Sequence, residues 1–286
     1  MAKDHACYGS HMSSNVSQNM DNEATAWVPP WDGASYAANT AHHRRYDAEI
    51  LASLPLRPSD RVLDLGCGSG DFTAEIAARV PDGHVVGLDA QPTMLAEAAQ
   101  RALPNQSFLE GPVQHLASLL EDQPPFDVVC SRAALHWVPW ADHAGVLADS
   151  LAALRPGGAL RVECGGGDNV REVVAFLDHI AGRHGGATAP WTFVGAGAYL
   201  DLLLDAGFTV DAGWVRTVAQ RRAFSRDELR GWLHSQTLNA YEASLPATVH
   251  AAFRADVDEH LDDLRRSDGT YDVTFVRLDL LAYAPT

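Results

Sequence analysis

The residues of this chain whose types and spacing carry the clearest chemistry are an acid and three alternating glycines, in the run Asp64-Leu65-Gly66-Cys67-Gly68-Ser69-Gly70. A glycine-rich turn between a strand and a helix sets backbone N–H groups and a positively polarised helix end against a ligand. A pyrophosphate-binding turn needs Gly-x-Gly-x-x-Gly, and here Asp71 stands where the third glycine would be. An acid at position 64 suits a cationic amino acid better than a pyrophosphate, which favours a methionyl moiety over a nicotinamide dinucleotide. Asp89 follows Gly70 by nineteen residues, at the end of the next apolar run. A carboxylate there can accept two hydrogen bonds from a ribose diol. Each feature alone is weak, because glycine turns also serve tight packing; together, between strand and helix, they mark a cofactor site. Further on, His136 is the best-placed titratable side chain. It suits a base or a substrate-binding group, and equally a histidine packed under a loop and bonded to backbone.

Short apolar runs alternating with helical periodicity from residue 60 onward must position these groups, and they predict βαβ units around a parallel sheet. Strands are expected at 61–65, 84–88, 107–109, 126–130 and 159–163, with helices at 72–80, after Pro92, and at about 142–154 and 170–184. The remainder reads as a helix at 197–206, a sixth strand from Phe208, helices at 227–240 and 247–266, and a seventh strand at 272–282. The returning last strand makes the sheet mixed. The expected fold is therefore an α/β, Rossmann-like, seven-stranded sheet with its last strand antiparallel and helices on both faces.

The formal net charge of −16 would repel a phosphate backbone or an anionic membrane, and no Lys/Arg cluster offsets it. A small-molecule substrate is expected, with no nucleic acid and no membrane partner, in a cytoplasmic monomer or homodimer. The four cysteines form no Cys-x-x-Cys pair, and the thirteen histidines form no metal motif, so no metal is expected. Gly9-Ser10-His11-Met12 reads as a cloning scar and residues 13–23 as a polar, unstructured stretch, leaving 24–286 as one domain. Within it, 24–56 reads as lid helices, 57–168 as the cofactor-binding core, and 169–286 as a C-terminal half with a helical cap at about 222–268.

The run 62–70 resembles the first motif of class I S-adenosylmethionine-dependent methyltransferases, and Gly87-Leu88-Asp89 with Met94-Leu95 their second. Phe126-Asp127-Val128-Val129, Ala134-Leu135-His136-Trp137-Val138 and Leu154-Arg155-Pro156-Gly157-Gly158 complete the set. The resemblance implies that Asp64, Gly66, Cys67, Gly68 and Gly70 hold the methionine part of S-adenosylmethionine and that Asp89 binds the ribose. Ala90, Gln91 and Met94 would line the adenine, and Ser131 would sit near the transferred methyl. The chain departs from the family at Pro112, where an acid usually binds the adenine amino group; Gln114 or backbone would then take that part.

A finer resemblance is to small-acid carboxyl methyltransferases of the trans-aconitate methyltransferase type. It rests on Trp31-Asp32-x-x-x-Tyr36, on 133–138, on Gly231-Trp232-Leu233 and on Asp268-Gly269-Thr270-Tyr271. It implies Tyr36 at the cofactor, Trp31, His43, Trp137 and Trp232 at the substrate, and His136 with Arg132 at the reacting centre. Arg44 and Arg277 are further candidate anchors. A carboxylate nucleophile needs no base, so His136 would orient it. Methylation of a hydroxyl or carbon with His136 as base, and a cofactor-binding cyclase that transfers no methyl, stay open alternatives.

Overall fold

The structure, a computed structural model, describes the backbone from residue 44 to residue 286 and side chains from residue 48. Seven strands form one sheet in the order β3-β2-β1-β4-β5-β7-β6. They are β1 (Arg61–Leu65), β2 (His84–Asp89), β3 (Gln106–Glu110), β4 (Phe126–Arg132), β5 (Leu154–Gly165), β6 (Thr209–Phe224) and β7 (Tyr271–Tyr283). The first five pair in parallel, while β7 runs antiparallel to both β5 and β6. The chain reverses its order beside β1: β2 lies to one side and β4 to the other, so the crevice at their carboxyl ends is the ligand position of an open α/β sheet.

Alternation along each strand divides the core between the two faces. Val62, Val85 and Val128 pack with Ile50 and Leu51 of α1 (Arg44–Ser53) and with Phe72 and Ile76 of α2 (Asp71–Ala77). Leu63, Leu65, Val86, Val129 and Leu160 pack on the other face. Their partners are Val146 and Leu147 of α5 (His143–Ala153) and Tyr199 and Leu203 of α7 (Ala196–Asp205). Burying each such side chain stabilises the fold by about 1.5–3 kcal/mol before chain entropy is counted. Between these elements lie α3 (Pro92–Gln100) and the short α4 (Leu116–Leu119).

A third cluster forms the cap. It joins Leu177 and Ile180 of α6 (Arg171–Arg183), Leu229 and Leu233 of α8 (Arg226–Gln236), Tyr241 of α9 (Leu238–Glu242) and Phe253 of α10 (His250–His260) to Tyr271 and Val273 of β7. The helix expected over 227–240 is interrupted at Thr237, whose hydroxyl bonds back to the Leu233 carbonyl at 2.8 Å while its backbone leaves helical geometry. That expected over 247–266 is helical only through α10, with single tight turns on either side. No helix among the described residues is long and apolar enough to cross a membrane. The expected lid at 24–56 is described only from residue 44, as α1.

Candidate active site

The glycine turn after β1 is fixed from beneath. The Leu88 carbonyl at the end of β2 accepts from the N–H groups of Gly66, at 2.7 Å, and Cys67, at 2.9 Å. The carboxylate of Asp89 then accepts from Gly68 N–H at 2.8 Å and from Gln91 N–H at 2.9 Å, tying the turns after β1 and β2 together. Burial pushes the Asp89 pKa up, and those backbone donors hold it back. Gly66, at φ 74°, cannot carry a side chain because a Cβ would run into that of Ala134. Gly68, at φ 54°, would project one into open space. That space is a cleft of about 850 Å³, open to solvent. Gly68, Asp89, Gln91 and Met94 line one side of it, and Pro112, Val113 and Gln114 the next. An amide hydrogen of Gln114 is given to Asp142 at 3.3 Å, which leaves the amide oxygen as an acceptor.

The far wall of the cleft is the segment after β4. Arg132 through Leu135, with Trp137 and Val138, line it. Ala133 holds a left-handed φ of 53°, with its N–H bonded to the Glu163 carbonyl at 2.7 Å. Behind this wall lies His136, whose Nδ1 accepts from Gly165 N–H at 3.3 Å. The residue is half-buried. Burial first, and then the positive charge of Arg277, bring its pKa down to about 3. An imidazole that is neutral and accepts at Nδ1 carries its proton on Nε2. His136 is thus a hydrogen-bond donor at Nε2. Its ring packs against Trp137 and Phe193, and Phe193 stacks on Trp191 with ring centres 5.7 Å apart. Arg277 is clamped by both carboxylate oxygens of Glu163.

Residues 62–158 match the family model described as a methyltransferase domain. The chain is 34% identical to trans-aconitate 2-methyltransferase of Methylobacterium nodulans over 262 residues, covering 88% of this chain and 97% of that one. The chain belongs to the trans-aconitate 2-methyltransferase family. Its fold is shared with the YcgJ protein of Bacillus subtilis, at 15% identity and a TM-score of 0.58, over 85% of this chain and all of that one. It is shared also with the phosphoethanolamine N-methyltransferase 2 of Haemonchus contortus in complex with S-adenosylmethionine, at 16% identity and a TM-score of 0.55. That match covers 89% of this chain and 57% of the other. The protein is an S-adenosylmethionine-dependent methyltransferase.

The residues of the methyltransferase fit that cofactor. Gly68 leaves room where a Cβ would intrude, Asp89 presents a carboxylate to the cleft, and Met94 with Val113 offers apolar faces to a purine. Of the residues expected at the cofactor, Gly66, Gly68, Asp89, Ala90, Gln91, Met94 and Gln114 line the cleft. Asp64, Cys67, Gly70 and Ser131 do not; they form the layer beneath it. Asp64 is 1% exposed and accepts from the Thr73 hydroxyl at 2.7 Å, because alternation along β1 turns it toward α2. Ser131 gives its hydroxyl proton to the Leu65 carbonyl at 2.8 Å. Arg132 and Trp137 also line the cleft, while His136 stands one layer back. Trp232 is not in the cleft wall: its ring packs on Phe224 and Phe275 in the cap. Tyr36, Trp31 and His43 lie outside the described residues, as does the side chain of Arg44.

Sequence reasoning missed Asp142, Glu163 and Phe193. An acid just before a helix and an acid at a strand end are too common to stand out, and the Gly165 N–H that orients His136 leaves no trace in residue type. Among the described residues one group could hold a metal, Asp256 with Glu259 and His260 on α10. Asp256 is already ion-paired to Arg183 and hydrogen-bonded to His184 there, far in sequence from the residues that line the cleft.

Proposed function

We propose that this methyltransferase O-methylates a carboxylate of a small organic acid. The observation that carries this reading is the state of His136. A nitrogen that could take a proton is filled by Gly165 N–H, and the other bears a hydrogen. Among the described residues lining the cleft, Asp89 is the only carboxylate, and it is already engaged by two backbone N–H groups. Such a wall offers donors and a cation and lacks a base, which suits a nucleophile that is ionised before it arrives.

When bound, S-adenosylmethionine supplies an electrophilic methyl on a sulfonium, attacked in line by one oxygen of the acceptor carboxylate. The turn at Gly66–Gly68 and Asp89 would fix the donor's position, so that alignment supplies much of the rate. Arg132 would hold the acceptor through charge-assisted hydrogen bonds, and His136, one layer behind, would brace the wall that carries it. Ala134, Leu135 and Val138 keep water away from the reacting atoms.

Turnover should yield S-adenosylhomocysteine and a base-labile methyl ester. With S-adenosylmethionine saturating, its rate should stay level from pH 7 to 9, above the range in which Asp64 titrates, because no base must take a proton from the acceptor. A rate that climbs tenfold per pH unit, or methyl transfer confined to phenols, alcohols or carbon acids, would overturn the reading.

A further inference from the structure

The adenine of S-adenosylmethionine carries an amino group that donates hydrogen bonds at the edge of the ring, and a donor taken out of water needs an acceptor in return. Met94 and Val113 offer apolar faces to a purine but no acceptor to its edge. Pro112, beside them, has no polar side-chain atom. The next side chain in that wall is the amide of Gln114.

An amide accepts at its oxygen and donates at its nitrogen, so what it recognises depends on which way it is turned. At Gln114 a neighbour decides. Gln114 lies in the tight turn Val113–His115 after β3, and Asp142 ends the tight turn Trp140–Asp142 that leads into α5. Backbone bonds close both turns, from His115 N–H to the Pro112 carbonyl at 3.0 Å and from Asp142 N–H to the Pro139 carbonyl at 2.9 Å. One carboxylate oxygen of Asp142 stands 3.3 Å from the side-chain nitrogen of Gln114. A carboxylate accepts and does not donate, so the NH2 end of the amide must face it. The reversed amide would set its oxygen against the carboxylate and forfeit the bond. Both residues are half-buried, where such a preference counts for more than it would in open water.

We propose that Gln114 reads the adenine amino group through its amide oxygen, and that Asp142 is the positioning residue that keeps that oxygen turned to the purine. The pair makes the site selective for a 6-amino purine over a 6-oxo purine. Hypoxanthine carries a carbonyl where adenine has its donor, and it would meet Gln114 acceptor against acceptor. This selectivity belongs to the donor site and is independent of which acceptor the enzyme methylates.

The test is calorimetric titration of the full chain with S-adenosylhomocysteine and with S-inosylhomocysteine, which carries the 6-oxo purine. The wild type should bind the adenosyl compound at least tenfold more tightly. Gln114→Leu, which keeps the bulk and removes the acceptor, should bring the two affinities within threefold of each other. Asp142→Asn keeps the shape and can accept or donate, so the Gln114 amide can turn over. The preference should then narrow at least threefold, through tighter binding of S-inosylhomocysteine. A residue that only supported the fold would weaken both ligands together and leave their ratio alone. Equal affinities in the wild type, or a preference that survives Gln114→Leu, overturn the reading of adenine by Gln114. A preference lost in Gln114→Leu but unchanged in Asp142→Asn overturns the role of Asp142.

Discussion

Asp89 and Asp64 are both acids at the ends of adjacent strands, and their surroundings give them opposite tasks. Asp89 faces the cleft and spends two acceptor sites on Gly68 and Gln91, leaving others for a ribose diol. Asp89→Ala should weaken S-adenosylhomocysteine binding at least tenfold by calorimetry, which corresponds to about 1.4 kcal/mol; unchanged affinity would mean the ribose lies elsewhere. Asp64 sits beneath the turn, where burial raises its pKa from 3.8 to about 6 against the pull of Thr73 and Arg132. A raised carboxylate pKa favours the protonated form in the folded chain. Its contribution to stability is therefore fully present below pH 4 and declines as pH rises through 6, by up to about 3 kcal/mol. A cationic amino acid over the turn favours the ionised form and restores part of that loss. Thermal stabilisation by S-adenosylhomocysteine should consequently be larger at pH 7.5 than at pH 5, and Asp64→Asn should flatten the difference. A ligand-induced shift in Tm that is the same at both pH values in the wild type would show that Asp64 does not sense the ligand.

At the scale of elements, what the sequence made legible follows burial. The strands β1, β2 and β4 are apolar on both faces, as parallel strands between helix layers must be, and their expected limits fall within two residues of those observed. β3 is an edge strand with alternately exposed residues, and its signal is correspondingly weak. The sixteen residues of β6 were legible only at their start. It is the other edge, largely exposed, and carries Arg216, Arg221 and Arg222 where an apolar alternation would be needed to recognise it. The glycine turn was legible because residue type and backbone geometry coincide there; the tautomer of His136 was not, because a backbone N–H sets it. Trp232 illustrates the gap between residue type and place: an aromatic in a cap was expected at the substrate, yet it packs on Phe224 and Phe275. Trp232→Ala should therefore cost about 2 kcal/mol of stability, less than for a fully enclosed tryptophan, and lower the Tm by roughly 5 °C. Affinity for S-adenosylhomocysteine should stay within twofold; a large loss of affinity with an unchanged Tm would return Trp232 to the cleft.

For the molecule as a whole the decisive quantity is its net charge of −16, set against a single arginine lining the described cleft. An anionic acceptor approaching from solvent meets two opposed fields of different range. The attraction of Arg132 is local and partly shielded by the protein around it, so added salt weakens it little. The repulsion from the whole surface reaches about one Debye length, roughly 30 Å at 0.01 M salt and 8 Å at 0.15 M. At low salt the repulsion covers the entire approach, and at physiological salt it is confined to the last few ångströms, where Arg132 acts. Raising ionic strength should therefore increase kcat/KM for an anionic acceptor, severalfold between 0.01 and 0.15 M, through KM more than through kcat. An acceptor whose binding was governed by a strongly basic site would show the reverse, its KM rising with salt. The sign of that dependence, measured with one acid at fixed pH, decides whether the acidic surface or a local cation controls access to this methyltransferase.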